Sequence, residues 1–187
     1  LAWGAVGLGA LAAALVARGV AERPTNAAFG VIYLAIPVVC IIWLRGMPEG
    51  RQWTVLLFAV AWAADIAAFA VGSALKGPKL WPRFSPNKTW SGFFGGLAAA
   101  AGAGAAMAAF SAIVLSVQAG ALIGLVAGLA TMAGDLWESM LKRRFGVKDS
   151  GDLIPGHGGL LDRVDGLMFA AVVLAVARLV NHWGWAH

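Results

Sequence analysis

Residues 53–75 read W-T-V-L-L-F-A-V-A-W-A-A-D-I-A-A-F-A-V-G-S-A-L. At about 1.5 Å of rise per residue, this stretch taken as a helix crosses the roughly 30 Å of hydrocarbon in a bilayer. Its apolar residues run continuously and do not alternate, which argues against a membrane β-barrel. One ionisable residue, Asp65, falls near the middle. An unpaired charge there costs at least about 2.5–3.5 kcal/mol. Asp65 is therefore protonated, bonded to a neighbouring helix, or part of a polar cavity within the membrane. We assign it to the cavity.

Five more segments of this kind flank it, at 1–17, 27–44, 92–115, 118–139 and 166–185. The expected fold is all-α: a polytopic transmembrane helical bundle of about six spans, one integral-membrane domain over 1–187. Composition agrees. Of the 187 residues, 60% are hydrophobic and 12% charged, and mean hydropathy is +0.80. A soluble domain of this size needs far more surface charge. The formal charge of +5 raises the question of nucleic acid. The basic residues, however, sit in short loops between apolar runs, where they set membrane orientation, so no nucleic-acid partner is expected. Cys40 lies in an apolar run, has no internal disulfide partner, and reads as a small hydrophobe. The chain begins at Leu1 rather than Met, without a charged leader or cleavage motif, so a lost N-terminal segment or a misplaced start is expected.

Trp43, Trp53, Trp81, Trp90, Trp137, Trp183 and Trp185 fall near span ends and suit an aromatic belt. Of the fourteen Lys and Arg residues, Arg45, Arg51 and Arg178 fall on one side of the expected membrane and all others on the opposite side. The positive-inside rule makes the basic side cytoplasmic, with both termini outside. Gly120, Gly124 and Gly128 repeat every four residues in the fifth span, a spacing for close helix packing and a candidate contact with a second copy. Pro37 is expected to kink the second span.

Chemistry concentrates at 139–165, S-M-L-K-R-R-F-G-V-K-D-S-G-D-L-I-P-G-H-G-G-L-L-D-R-V-D. Asp162 and Asp165 share a helix face at i, i+3 spacing. Alone, they read equally well as an ordinary acidic helix start. Topology brings Asp135, near the basic end of the fifth span with Glu138 three residues later, to the same membrane face. Three converging carboxylates repel unless a cation joins them. Hard oxygen ligands select Mg²⁺ or a similar ion, and the Cys and His spacings of a zinc site are absent. The metal candidates are thus Asp135, Asp162 and Asp165.

Phosphate-binding candidates lie in two places. In S-P-N-K-T-W-S-G, residues 85–92, Ser85 and the following Pro suit a helix N-cap and first turn, whose free N–H groups bind anions. Lys88 and Thr89 add a charge and a hydroxyl. The competing reading is a capped turn with Lys88 facing solvent. Lys142, Arg143, Arg144 and Lys148 form a second basic group, in which topology and anionic-lipid contact are the stronger reading for Arg144. In P-G-H-G-G, residues 155–159, the glycines permit close backbone approach to a ligand. His157 there bonds a phosphate, orients a carboxylate, or is a turn residue. Walker A, G-x-G-x-x-G and G-x-S-x-G motifs are absent.

The run 139–165 resembles the signature of the phosphatidate cytidylyltransferases, or CDP-diacylglycerol synthases: S-x-x-K-R-x-x-x-x-K-D-x-x-x-x-(I/L)-P-G-H-G-G-x-x-D-R-x-D. Ser139, Lys142, Arg143, Lys148, Asp149, Pro155, Gly156, His157, Gly158, Gly159, Asp162, Arg163 and Asp165 all match. Asp65 in A-D-I-A-A-F, the S-P-N-K-T-W-S-G run, and G-D-L-W-E-S at 134–139 are similar to the same family. The resemblance marks a catalytic core at approximately 62–187 and weakens over 1–61. Two departures stand out. Bacterial members carry additional N-terminal spans, and Phe69 stands where the family commonly has Tyr.

The resemblance implies transfer of a cytidylyl group from CTP to phosphatidic acid, yielding CDP-diacylglycerol and pyrophosphate. It implies Mg²⁺, a second cation such as K⁺, and a homodimer in a bacterial inner membrane with the site facing the cytoplasm. Lys88, Lys142, Asp162 and Asp165 are expected to be catalytic. Ser85, Lys88, Thr89, Lys142, Arg143, Lys148 and His157 are expected to bind substrate. Arg163 is read as orienting the aspartates beside it. The alternatives are a cation-coupled transporter using the same carboxylates, or a related enzyme using CTP on another lipid.

Overall fold

The computed structural model describes residues 2–18, 23–111, 113–151 and 159–184. In chain order the elements are α1 (Ala2–Ala17), α2 (Pro24–Gly46), α3 (Gly50–Leu75), β1 (Lys79–Trp81), β2 (Ser85–Thr89), α4 (Trp90–Phe110), α5 (Val117–Arg144) and α6 (Leu161–Gly184). Five of these helices, α2 to α6, are long and apolar enough to cross a membrane, and α1 is a shorter apolar helix. Its 16 residues reach about 24 Å. The helical bundle is as expected from the apolar runs.

Local chemistry sets the helix ends. Pro24 stands in the first turn of α2, where its missing N–H costs nothing. Ser116 caps α5 by accepting from Ala119 N at 3.1 Å. Lys76 (φ 55) and Gly77 (φ 100) turn the chain out of α3 into an antiparallel hairpin. Among the described residues this hairpin is the one departure from the all-helical expectation, and it displaces the expected cap. Ser85 opens β2 opposite Trp81, and the α4 cap is Thr89, four residues later. Pro86 has no N–H to give, as an edge strand tolerates. The Thr89 hydroxyl accepts from Gly92 N at 3.2 Å.

The core centres on α3. Trp53, Leu56, Leu57 and Val60 are fully buried against Leu44 of α2, Ala100 of α4, Ala127 of α5 and Leu174 of α6. Trp53 is therefore not a belt residue. The Arg178 guanidinium lies over its ring at 5.5 Å and donates to Pro48 O at 3.0 Å. A cation stacked on an aromatic face and hydrogen-bonded to a carbonyl is stabilised where water is excluded. Trp81, Trp90 and Trp137 are partly exposed, as a belt requires. Trp185 and the side chain of Trp183 lie outside the described residues.

The glycine face of α5 is consumed within the chain. A Cβ on Gly124 would lie 2.3 Å from Ala100 O, and one on Gly120 2.5 Å from Gly104 O. Helices α4 and α5 thus meet backbone to backbone, and the face is closed to a second copy at these positions. This corrects the expectation that Gly120, Gly124 and Gly128 offer a contact between copies.

Two ends of the bundle differ in charge, as the loop count anticipated. Arg178 reaches Pro48 in the α2–α3 turn, between Arg45 and Arg51. The hairpin, the end of α5 and the start of α6 gather at the other end. Helix α5 runs to Arg144, so Lys142, Arg143 and Arg144 sit on its last turn rather than in a loop, where cations offset the helix dipole.

Candidate active site

The hairpin lies beside α5 at the basic end, and an ion pair joins them. Lys88 Nζ of β2 donates to Asp135 Oδ2 of α5 at 2.6 Å. Both residues line a cavity of about 870 Å³ between α3, α4, α5 and the hairpin, which Asp65, Phe69, Asn87 and Met132 also line. Asp65 is thus exposed to a hollow whose walls are mostly apolar, with Lys88, Asn87 and Asp135 among its polar members. Thr89 lines the same cavity but is buried, and its hydroxyl is engaged with Gly92 N and, at 3.0 Å, Ser91 Oγ. Ser91 Oγ in turn donates to Lys76 O, fixing the start of the hairpin to the start of α4.

A second centre lies where α5 meets α6. Lys142 Nζ donates to Asp162 Oδ1 at 2.6 Å and to Glu138 Oε2 at 3.4 Å. The other Asp162 oxygen accepts from Ser150 N at 2.9 Å, Ser150 Oγ at 2.7 Å and Gly159 N at 2.8 Å. Asp162 thus holds both sides of the segment 152–158, which includes His157 and lies outside the described residues.

Glycine lets the two carboxylate-bearing helices touch. A Cβ on Gly166 would fall 2.6 Å from Asp135 Oδ1, and one on Gly134 would fall 2.6 Å from Asp165 O. Asp135 and Asp165 are consequently neighbours across the α5–α6 contact, and Asp165 also lies against Glu138. Glu138 is 2% exposed, and its Oε1 has no donor among the described residues. Each of the three carboxylates has one donor, Lys88 on Asp135, Lys142 on Glu138 and Gly166 N on Asp165 at 2.9 Å, but so close together they repel unless a proton or a cation joins them.

The expected trio of Asp135, Asp162 and Asp165 is therefore not one cluster. Asp135 and Asp165 adjoin, while Asp162 is turned to Lys142 and the loop. Among the described residues no three Asp, Glu, His or Cys side chains stand in a geometry ready to hold a metal. The donor chemistry nevertheless fits a hard cation. Asp135, Asp165 and Glu138 supply only oxygens, one of them orphaned, and a lysine ammonium already sits on Asp135.

Glu138 is the residue that sequence reasoning noted without assigning to the site. The signal was its spacing, three residues after Asp135 and four before Lys142 on one helix. Arg143 and Lys148 are exposed and form no ion pair among the described residues. Ser85 is half-buried in β2.

A model of the cytidylyltransferase family matches residues 3–180. A phosphatidate cytidylyltransferase of Brucella suis is 49% identical over 151 residues, 79% of this chain and 54% of that protein. One from Staphylococcus epidermidis is 40% identical over 128 residues, 68% of this chain and 49% of that protein. One from Staphylococcus saprophyticus is 37% identical over 152 residues, covering 81% and 58%. The chain spans about half the length of the curated relatives it matches.

Proposed function

The chain belongs to the cytidylyltransferase family, and from that premise we propose that it transfers the cytidylyl group of CTP to phosphatidic acid, releasing pyrophosphate. The observation that carries this reading is the placement of two lysine–aspartate pairs, Lys88–Asp135 and Lys142–Asp162, at one end of a bundle whose cavity reaches into the apolar layer. A lipid phosphate must meet a water-soluble triphosphate, and such a place gives each access. On α3, Trp62, Ile66 and Phe69 are exposed around Asp65 and offer apolar surface to acyl chains.

In the reaction an oxygen of the lipid phosphate attacks the α-phosphorus of CTP. The new P–O bond forms as the bond to the leaving pyrophosphate breaks. The nucleophile is already anionic, so little general-base work is needed. Repulsion between the two anions and charge growing on pyrophosphate are the obstacles, and fixed cations address both. Lys88 and Lys142 are placed for this. Lys148 supplies further positive charge, and Ser85 and Thr89 belong to the hairpin that carries Lys88. Asp135 and Asp165, with Glu138 beside them, would hold Mg²⁺, which supplies charge neutralisation at the phosphates when bound. Asp162 is the third candidate, and a second cation such as K⁺ is part of the same reading. So are a homodimer and a cytoplasm-facing site in a bacterial inner membrane. These rest on the family resemblance and, for orientation, on the cation asymmetry of the loops.

The test is the purified chain with labelled CTP, phosphatidic acid and Mg²⁺. A liponucleotide should form with equal release of pyrophosphate. With excess EDTA, turnover should fall by at least about 1000-fold, the effect of several kcal/mol of lost charge stabilisation. Absence of liponucleotide from folded protein with Mg²⁺ present would overturn the reading, since a transporter makes none.

Lys88→Ala should lower kcat/KM for CTP by about 100-fold, as expected for one preorganised cation. Folded yield should fall less than activity: the side chains of the pair are 33% and 20% exposed, so Asp135 loses its partner, but both line a cavity rather than the packed core. Unchanged kinetics across a range of CTP concentrations would reduce Lys88 to a turn residue paired with Asp135.

A further inference from the structure

A second hollow, about 440 Å³, opens at the basic end, between the hairpin tip and the last turns of α5. Arg83, Phe84, Met140, Arg143 and Arg144 line it. No carboxylate is among them, and none of the three guanidiniums has an ion pair among the described residues. Arg83 is stacked over the Phe84 ring at 5.4 Å, and Phe84 meets Trp81 edge to face at 5.1 Å. One cation is thus held at the rim by an aromatic floor. Three guanidiniums with no ion pair among the described residues repel each other around one concavity and match a phosphate, whose oxygens take two N–H donors from one guanidinium and single donors from its neighbours.

The surroundings decide which phosphate. Trp81, Trp137 and Phe145 are exposed around this end of α5, in the pattern of an interfacial aromatic ring. Phe84 and Met140 give the hollow apolar wall, suited to glycerol and the first methylenes and of no use to a free inorganic anion. Arg143 also lies two turns beyond Asp135 on α5, about 12 Å along the axis. The hollow is therefore separate from the cavity that holds Lys88 and Asp135.

We propose that this hollow binds the phosphate headgroup of a non-reacting anionic phospholipid at the membrane surface. The bound lipid bridges the hairpin tip to α5, the same two elements that the Lys88–Asp135 pair joins. It steadies the hairpin from outside the reaction cavity. The proposal is independent of the chemistry assigned to that cavity, because its readout is lipid binding.

The experiment titrates the full chain in neutral detergent with phosphatidylglycerol or phosphatidylcholine and reads retained lipid by native mass spectrometry. Wild type should retain phosphatidylglycerol in preference to phosphatidylcholine. R83A/R144A should weaken phosphatidylglycerol retention by about thirtyfold, at the usual contribution of one basic residue near an anionic surface taken twice. Retention of phosphatidylcholine should stay unchanged. R83Q/R144Q, which keeps length and polarity, should behave as R83A/R144A. Gel filtration and thermal unfolding identify which variant is folded, and either one suffices. Equal phosphatidylglycerol retention by wild type and a folded variant would overturn the proposal. So would full displacement of the lipid by millimolar pyrophosphate, which would make the hollow a site for a free anion.

Discussion

Asp165→Asn is expected to abolish turnover while leaving the bundle as stable as the parent or more so. In the parent, Asp165 lies against Glu138 and beside Asp135, all on helices in glycine contact. Three carboxylates share this space, and Glu138 Oε1 has no donor among the described residues. An asparagine keeps the shape, removes one negative charge and brings an NH₂ group that can donate to that orphan oxygen. Satisfying one buried acceptor contributes about 1–3 kcal/mol. The same change weakens the site for any cation, so turnover should fall by at least about 100-fold to 1000-fold. Activity and stability should therefore move in opposite directions, as at sites where function keeps like charges together. The measurement is thermal unfolding in detergent without divalent ions, beside turnover with Mg²⁺. With saturating Mg²⁺ the stability gap should narrow, because an ion that binds the folded parent stabilises it by mass action. Asparagine can keep the 2.9 Å bond from Gly166 N through its oxygen, so a variant that melts well below the parent without metal would show that further donors to Asp165 outweigh the crowding. Near-parental turnover would remove it from the cation site.

The crowding explains which parts of the molecule were legible in the sequence. Apolar runs bounded by basic loops identify spans because the bilayer allows so few alternatives. The expected ends were less secure. Helix α5 carries its cations on its own last turn, where the dipole favours them, so the polar residues after 139 were not a loop signal. Ser85 and Thr89 are both competent caps, and only the pairing of Ser85 with Trp81 in the hairpin selects Thr89. Trp53 reads as an interfacial residue until Arg178 is found over it, and that contact joins residues far apart in the chain. The site residues were legible as residues, because charge is expensive among apolar helices. Their pairing was not. Lys88 meets Asp135 across 47 positions, and the contact depends on how the hairpin lies against α5. Glu138 was visible only as helix spacing. Its burial comes from α5–α6 packing, which the small residues Gly134 and Gly166 permit.

Asp162→Asn is expected to lose activity by a different route from Asp165→Asn, and the difference separates the two aspartates that sequence spacing made look alike. Asp162 accepts from Lys142 through one oxygen, and from Ser150 N, Ser150 Oγ and Gly159 N through the other. Its side chain is 10% exposed. An amide has only one oxygen. Whichever way it is turned, its NH₂ faces either the Lys142 ammonium or the two backbone N–H groups, donor against donor. Each abandoned contact costs about 1–3 kcal/mol. Ser150 and Gly159 should then separate and the chain between α5 and α6 should open. Lys148 is exposed in that segment, so trypsin cleavage after Lys148 should accelerate by about tenfold or more, the effect of losing roughly 1.4 kcal/mol of local protection. Turnover should fall by at least about 100-fold, because the Lys142 ammonium loses the carboxylate charge 2.6 Å from it in either orientation. Asp165→Asn should leave the tryptic rate at the parental value. Mass spectrometry of the early fragments, without divalent ions, makes the comparison. Lost turnover with parental cleavage would assign Asp162 to the cation alone. Faster cleavage with lost turnover would make it the latch that ties Ser150 to Gly159.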